Sequence, residues 1–332
     1  MSEEKDVFLH ETAWEETFRG WSIVDCAVRD RGFVYLILRK DIPREKVSLT
    51  WDHDIPSRIA VLYLSRTDPK QQWGHQDLSG FLQTIGGVSR IPIAQGLAIS
   101  ANGDVFATGS GKSDLEKVAP GGPGVSLAKS RCIAGRAHVV GLGRAVHRRL
   151  DIGRWEVLSH GIPVLADPDM SPEELTDMGF ADIDGFAADD LYAVGGRGEV
   201  WHYDGKIWIP CELPANLPLS TVCCGGDGQV YISGESGTLY RGRGDVWKRI
   251  WKGEYTTPYN DSRWFDGKLL LTSDYMFDEW SDDQVKHVHH NGRRVNARGH
   301  MDTGDGILVV ASDREVRMFD GTRWRDLVVP YS

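Results

Sequence analysis

One short apolar run returns four times in the C-terminal half of the chain at an almost constant interval. The runs begin at Leu191, Val230, Leu269 and Ile307, so their starts lie 39, 39 and 38 residues apart. Each run follows an aspartate-containing turn signal, and in three repeats a second strand-like run comes a few residues later. These second runs are Glu199–Tyr203, Thr238–Arg241 and Glu315–Phe319. Short β-rich runs joined by Asx-Gly and Gly-rich turns are typical of hairpins.

A unit of this length has room for four short strands, which is the size of one blade of a β-propeller. A sheet of four strands cannot cover both of its faces, so blades stack around an axis and bury one another. The apolar runs are then expected to be inner strands. Tryptophans follow the hairpin turns and are predicted to pack between blades; they are Trp208, Trp247 and Trp324.

The N-terminal half contains three less regular units of the same kind. Gly32–Leu38 and Ile59–Leu64 form the first, with a long charged loop between them, and residues 7–21 precede it as an outer strand or a cover. Ala98–Thr108 predicts a second hairpin, and residues 137–155 predict a third unit. We therefore predict an all-β fold, a propeller of seven four-stranded blades in one domain over residues 1–332. The irregular spacing leaves six or eight blades as alternatives.

Two acidic insertions interrupt the repeats, at about 160–185 and at 273–283. From Trp155 to Gly196 there are ten carboxylates and no lysine or arginine, which equals the formal net charge of −10 of the whole chain. Within the first insertion, Ser171–Leu175 combines an N-cap serine, a proline and acids, so a short helix is expected there. The second insertion sets three aromatic residues among five acids, between the inner strands of the sixth blade.

We predict that these two insertions bind a partner. Acids attract a cationic protein from a distance, and exposed aromatic side chains supply the desolvated centre of an interface. The predicted partner-binding residues are Asp167, Asp169, Glu173, Glu174, Asp177, Asp182, Asp274, Tyr275, Phe277, Asp278, Glu279, Trp280 and Asp282. A solvated acidic loop, oxygen ligands for calcium and paired catalytic carboxylates are the alternative interpretations of the same acids.

Other reactive patterns are weak, and we predict no catalytic residue, no metal and no cofactor. His287, His289 and His290 have no acid or cysteine at a convincing partner spacing. A basic cluster between Lys129 and Arg154 could hold an anion, although solvated strand faces are the commoner use of such charges. The acidic net charge argues against direct binding of nucleic acid, because phosphates need lysine and arginine.

The location expected from the sequence is the cytoplasm. The acidic N-terminus lacks the basic and apolar regions of a signal peptide, and no apolar stretch approaches the length of a membrane span. The five cysteines form an odd set without metal-like spacing, so we predict reduced thiols. Adjacent Cys223 and Cys224 are expected to point to opposite faces of one strand.

The Gly-x-Val/Leu-Trp/Tyr repeats, Gly198–Trp201 and Gly237–Tyr240, are followed by Trp208 and Trp247. They resemble the repeats of bacterial propeller proteins encoded beside polymorphic toxins. The chain as a whole resembles propeller-type immunity proteins of type VI secretion effectors, including inhibitors of a GHH-class DNase. This resemblance implies a tight inhibitor of a secreted toxin, held in the cytoplasm of the producing cell. It assigns no functional residue to a numbered position.

The combined prediction is a non-enzymatic immunity protein that binds and neutralises a cognate basic toxin, a nuclease, and that is a monomer when free. A nuclease grips phosphate and is therefore basic, so an acidic inhibitor complements it. A propeller enzyme acting on carbohydrates as a lyase or hydrolase is the alternative, and a general protein-interaction scaffold is another.

Overall fold

The structure is a computed structural model that describes residues 7–119, 126–159, 161–163, 174, 177–214, 216–253 and 257–331. Seven antiparallel sheets of four strands follow one another along the chain and form a β-propeller, as the sequence predicts. A helix, α1 (Glu11–Thr17), precedes the first sheet. No helix within the described ranges has the length and apolar composition needed to cross a bilayer.

The first four blades take their strands from consecutive segments of the chain. Blade 1 contains β1 (Trp21–Asp30), β2 (Phe33–Lys40), β3 (Ser57–Tyr63) and β4 (Trp73–Leu78), and blade 2 contains β5 (Ile85–Ser89), β6 (Gln95–Ile99), β7 (Asp104–Gly109) and β8 (Lys112–Lys117). Blade 3 contains β9 (Leu127–Ile133), β10 (Arg136–Gly141), β11 (Ala145–Asp151) and β12 (Arg154–Val157), and blade 4 contains β13 (Phe180–Ala187), β14 (Asp190–Gly195), β15 (Glu199–Tyr203) and β16 (Trp208–Cys211).

The last three blades repeat this order, with one extra hairpin. Blade 5 contains β17 (Leu219–Cys224), β18 (Val230–Gly234), β19 (Leu239–Arg243) and β20 (Val246–Trp251), and blade 6 contains β21 (Asp261–Phe265), β22 (Lys268–Thr272), β23 (Phe277–Ser281) and β24 (Gln284–His287). The hairpin of β25 (His289–His290) and β26 (Arg293–Arg294) leads to blade 7, which contains β27 (His300–Gly304), β28 (Ile307–Ala311), β29 (Val316–Phe319) and β30 (Trp324–Val328). Short 3₁₀ turns occur at Arg44–Leu49, Asp52–Asp54, Pro69–Gln71, Leu142–Arg144 and Glu235–Gly237.

The repeated apolar runs are the second strands of the blades. In β6, β18 and β28 every residue is buried, because neighbouring blades cover both faces of the sheet. The first strands lie closest to the axis and contact one another around the ring. These innermost strands mix apolar residues with charged ones, and the apolar pattern of the sequence did not single them out.

The tryptophans pack between blades, as predicted. Trp208 of blade 4 donates its indole N–H to the carbonyl oxygen of Leu158, which follows blade 3, at 2.8 Å. The ring of Trp247 in blade 5 lies 6.3 Å from that of Tyr192 in blade 4. In the same way, Trp324 of blade 7 meets Phe277 of blade 6 with 5.8 Å between ring centroids.

The N-terminal segment closes the ring against the last blade. The backbone N–H groups of Phe8 and Leu9 donate to the carbonyl oxygens of Asp326 and Leu327 at 3.0 and 3.1 Å, so this segment adds to the edge of β30. The pairing is parallel. Helix α1 then covers the junction, with Trp14 in the same apolar cluster as Leu327. Residues 7–21 therefore supply both an addition to the outer edge of blade 7 and a cover, the two roles expected for them.

Aspartates of the first strands join neighbouring blades next to the axis. In each case a carboxylate oxygen accepts a hydrogen bond from a backbone N–H of the next first strand around the ring. The pairs are Asp25 with Gly86 (2.8 Å), Asp182 with Val222 (3.0 Å), Asp184 with Cys224 (2.8 Å), Asp261 with Met301 (3.1 Å) and Asp302 with Val28 (2.7 Å). A first strand has no strand partner on its inner edge, so these carboxylates satisfy N–H groups that sheet pairing leaves over.

The five cysteines are free thiols. Cys223 packs in the apolar cluster between blades 5 and 6, and Cys224 contacts the cluster between blades 4 and 5. The two neighbours therefore face opposite sides of β17, as the strand geometry predicts.

Candidate partner-binding surface

Two kinds of connection lie at the same end of the propeller: the links between second and third strands, and the links between successive blades. Because the four strands of each blade alternate in direction, the link between the second and third strands emerges on the same side as the link to the next blade. Contacts agree with this: the guanidinium of Arg314, between β28 and β29, lies 3.0 Å from the carboxylate of Asp41, which follows β2. We call this end of the propeller the loop face.

The most exposed apolar side chains of the loop face lie between β2 and β3, in residues 41–56. Val47, Leu49 and Trp51 have 60%, 80% and 74% of their surface open to solvent. Single exposed apolar residues are ordinary on a protein surface, but three at alternate positions in one connection make it a candidate interaction site. We call residues 41–56 the apolar loop.

Local hydrogen bonds shape the apolar loop. The first of its two 3₁₀ turns contains Val47 and Leu49. The second begins directly after Trp51. The hydroxyl of Thr50 donates to the carbonyl oxygen of Lys46 at 2.8 Å. The ring of Trp51 stacks on that of His53 with 6.5 Å between centroids. The sequence pattern predicts only a charged loop here, although the three apolar side chains are a local signal of an interaction site.

The first acidic insertion starts and finishes on the loop face, where β12 ends and β13 begins. Three of its predicted partner-binding residues lie outside the described residues, as does most of the expected helix at 171–175; the three are Asp167, Asp169 and Glu173. Glu174 is exposed. The carboxylate of Asp177 pairs with the guanidinium of Arg197 at 2.7 Å.

Asp182 is not available to a partner, and the prediction that it lies on a binding surface is wrong. It belongs to the axis strand β13 and its side chain is completely buried. Its Oδ1 accepts a hydrogen bond from Nε of the equally buried Arg131 at 2.9 Å. A carboxylate at this depth is retained because it is paired and hydrogen-bonded.

The second predicted insertion is mostly a strand. β23 covers Phe277–Ser281 and leaves only residues 273–276 as a connection. Phe277 and Trp280 are buried in two apolar clusters, and Asp278 is buried with its carboxylate 3.1 Å from the hydroxyl of Tyr259 and 2.6 Å from His287. The expectation that these three residues form an exposed interface is therefore wrong. Adjacent blades cover both faces of the strand.

Four other predicted residues of this segment remain partly or fully accessible, but they do not share one surface. Asp274 and Tyr275 lie on the loop face, where Tyr275 is 66% exposed. The carboxylate of Asp274 accepts a hydrogen bond from the amide of Asn260 at 2.6 Å. Glu279 of β23 pairs with Lys268 of the neighbouring strand β22 at 2.9 Å. Asp282 follows the third strand, so it lies at the opposite end of the propeller.

A dense set of charged side chains lies around the axis, on the first strands. Its members are Asp25, Lys129, Arg131, Asp182, Asp184, Asp261, Arg263, His300 and Asp302. Nζ of Lys129 lies 2.6 Å from Oδ1 of Asp261. Burial opposes the charge on both, yet their mutual attraction prevails and holds the pKa of Lys129 above and that of Asp261 below the ordinary range. His300, 3.2 Å from Asp261, also has a raised pKa despite burial.

Two other carboxyl groups near the axis have raised pKa values, in contrast to Asp261. Burial raises the pKa of Asp184 and of Asp302 to about 6, although each accepts backbone hydrogen bonds. The axis set thus combines firmly ionised pairs with two carboxyls that take up a proton in mild acid. Its members form hydrogen bonds and ion pairs with one another and with the neighbouring blades. These contacts stabilise the ring of blades.

No metal site is formed within the described ranges, where no group of three or more histidine, cysteine or acidic side chains has ligand geometry. His287 is instead engaged with Asp278, and Nδ1 of His289 lies 2.8 Å from the carbonyl oxygen of His287. Two of the three neighbouring histidines, His287 and His289, therefore have hydrogen-bond partners within the protein.

The basic cluster expected on solvated strand faces is partly internal. Arg149 is fully buried, with Nε 3.1 Å from the carboxylate of Glu116. A different set of arginines converges at the surface of blade 7, and no local sequence pattern indicates it because its members are spread over 33 positions. The set is Arg293, Arg294, Arg317, Arg323 and Arg325.

Comparison with solved structures shows the propeller fold alone. The WD40 β-propeller domain of Doa1 matches with a TM-score of 0.57 and 10% identity over 88% of this chain and 90% of that chain. The virginiamycin B lyase of Staphylococcus aureus matches with a TM-score of 0.53 and 11% identity over 74% and 85%. YCF48 of Cyanidioschyzon merolae matches with a TM-score of 0.52 and 11% identity over 93% and 94%.

Sequence comparison goes further than the fold, although no family model matches the chain. The immune protein Tsi7 of Pseudomonas aeruginosa is 35% identical over 237 residues, which are 70% of this chain and 76% of Tsi7. The name of this relative describes immunity and no catalysed reaction, in agreement with the prediction of a non-enzymatic protein. At this identity and coverage, the chain belongs to the family of the immune protein Tsi7.

Proposed function

We propose that the protein is the cytoplasmic inhibitor of one cognate toxin, a basic nuclease delivered by a type VI secretion system, and that it binds this toxin with its loop face. The observation that carries the immunity role is the 35% identity with an immune protein over most of both chains. The nuclease and the secretion route come from the resemblance of the repeats and are part of the proposal.

The loop face supports the mode of binding. Trp51, Leu49 and Tyr275 are large, exposed side chains on connections that contain local hydrogen bonds. Tryptophan and tyrosine are the residues most often found at the energetic centre of an interface. The acidic segment between blades 3 and 4 starts and finishes at this end of the propeller, and its charge would steer a basic toxin towards it.

The charge of the chain fits this role in a second way. A net charge of −10 repels nucleic acid, so the inhibitor does not compete for the substrate of a nuclease but approaches the basic groove that grips it. Covering that groove, or holding the toxin in an inactive conformation, would then remove the activity.

Protection of cells tests the proposal. The toxin encoded beside this protein is expressed in a sensitive bacterium with and without the protein, and growth and the integrity of cellular DNA are followed. We expect survival and intact DNA only with the protein present. Equal killing in both strains would contradict the immunity role, whereas protection from a toxin that leaves DNA intact would contradict the nuclease assignment alone.

A further inference from the structure

We propose that the protein carries a second binding site, an arginine-lined cleft on the outer side of blade 7, and that this cleft takes a short acidic segment of a protein partner. The cleft has a volume of about 450 Å³ and lies between the β25–β26 hairpin and the outermost strand β30. Its walls include Arg293, Arg294, Arg317, Arg323, Trp324 and Arg325. We call it the arginine cleft, and it does not depend on which toxin the loop face binds.

The arginine cleft has an excess of positive charge in an otherwise acidic protein. Five guanidinium groups face one lining carboxylate, that of Asp326, which lies 3.1 Å from Nε of Arg317. Among the described residues, neither Arg293 nor Arg294 has an ion pair, and both are exposed. Arg323 approaches the carboxylate of Asp320 only to 3.7 Å. Arg293 and Arg294 therefore offer the cleft two guanidinium groups that no ion pair within the described residues neutralises.

The walls of the cleft are held in place before a ligand arrives. Trp324 packs on Phe319 with 5.3 Å between ring centroids, and His290 of the hairpin meets the same ring at 5.3 Å. The guanidinium of Arg317 donates to the carbonyl oxygen of Asn296, which ties the hairpin exit to β29. A site built on packed rings spends little of its binding energy on ordering itself.

Carboxylates in an extended segment fit this geometry better than a nucleic acid does. Guanidinium groups pair with carboxylates through two parallel hydrogen bonds. An extended peptide lying along the cleft, between the β25–β26 hairpin and β30, would bring successive acidic side chains to the guanidinium groups of both walls. A long polyanion would instead continue across the surface of a protein with net charge −10 and be repelled there.

The test uses a fluorescein-labelled hexaglutamate peptide and fluorescence anisotropy on the full-length protein. We expect saturable binding that weakens as NaCl rises from about 50 to about 300 mM, because exposed charges are screened over that range. A hexalysine peptide should not bind to the cleft. Absence of saturable hexaglutamate binding at the lower salt concentration would overturn the proposal.

A matched pair of charge reversals locates the binding. Arg293→Glu with Arg294→Glu should weaken the peptide affinity about tenfold or more, since it replaces two attractions with two repulsions. Lys248→Glu with Arg249→Glu is the control, because these neighbours are equally exposed on outer strand β20 and carry the same charge change. An equal loss in the control would overturn the proposal. If the first variant fails to fold, Arg323→Glu, in an exposed turn, replaces it.

Competition decides between carboxylate and phosphate ligands. Pyrophosphate and a short DNA duplex are added to the complex of protein and peptide. We expect either competitor to displace the peptide only at concentrations well above that of unlabelled hexaglutamate. Displacement by pyrophosphate or DNA at lower concentrations than hexaglutamate would overturn the assignment to an acidic protein segment.

Discussion

Nε of Arg131 donates to Oδ1 of Asp182 at 2.9 Å, and this buried pair joins blades 3 and 4 beside the propeller axis. The other oxygen of the same carboxylate accepts the backbone N–H of Val222 in blade 5 at 3.0 Å. One side chain thus connects three consecutive blades. Its role is in the stability of the ring, where the sequence alone had suggested a role in binding.

Asp182→Ala should lower the free energy of unfolding by about 3–5 kcal/mol, because it leaves the Arg131 guanidinium buried without its counter-charge. Urea unfolding at neutral pH measures the loss. Asp282→Asn is the control, since Asp282 is exposed, pairs with Lys286 at 2.9 Å, and has a positive φ of 52° that asparagine also adopts. It should change stability by less than about 1 kcal/mol. Equal stability of the two variants would contradict the structural role of Asp182.

Trp280→Ala and Tyr275→Ala should separate stability from binding. Trp280 is buried against Trp251, with 6.3 Å between ring centroids, so its truncation should cost about 3–5 kcal/mol of unfolding free energy. Tyr275 is exposed, and its truncation should leave the unfolding curve unchanged while weakening the complex with the toxin. Loss of toxin binding by a fully folded Trp280→Ala protein would show that the original surface assignment was right.

Two buried histidines should make the protein less stable in mild acid. Burial lowers the pKa of His138 and His147 to about 4, and Nε2 of each has no hydrogen-bond partner within the described residues. The unfolded chain binds a proton near pH 6.5 and the folded chain does not, so stability is complete above that pH and falls as the pH drops towards 4.

His147→Gln isolates this effect. Between pH 7.5 and pH 5, the wild-type protein should lose about 1–2 kcal/mol more unfolding free energy than the variant. Thermal or urea unfolding of both proteins at the two pH values gives the difference. A variant that loses as much stability as the wild type would show that His147 is not held neutral.

Asp184 should have the opposite effect on the pH dependence of stability. Burial raises its pKa to about 6, above the value near 3.8 of the unfolded chain, so the folded protein binds the proton more readily. Its contribution to stability therefore increases as the pH falls through 6 and is lost as the pH rises. Asp184→Asn mimics the neutral carboxyl. The difference in unfolding free energy between this variant and the wild type should therefore be about 1 kcal/mol more favourable to the variant at pH 7.5 than at pH 5. An advantage of the variant that instead grows in acid would contradict the assignment.

The sequence predicted those parts of the fold that depend on a continuous apolar pattern. The second strands, such as Val230–Gly234, are buried on both faces and were found as apolar runs. The axis strands were not, because residues such as Asp182 and Asp184 interrupt their apolar pattern and become intelligible only when the neighbouring blades are in place.

The candidate site was harder to predict, for a related reason. An acid beside an aromatic residue suggests a surface, yet Asp278 is buried because Tyr259 and His287 satisfy its carboxylate. The apolar loop carried its own local signal in Val47, Leu49 and Trp51, whereas the arginine cleft had none. Its arginines meet only when the hairpin folds against blade 7.

The affinity of the toxin for a variant of the apolar loop tests the central claim most directly. Val47→Ser, Leu49→Ser and Trp51→Ala are combined, and Leu115→Ser with Val246→Ser serves as the control, since both residues are equally exposed on outer strands β8 and β20. Isothermal titration calorimetry should show an affinity reduced at least about 30-fold in the loop variant, as loss of an aromatic anchor costs about 2 kcal/mol or more. The control should bind like wild type. Wild-type affinity in a folded loop variant would contradict the proposal that the loop face binds the toxin.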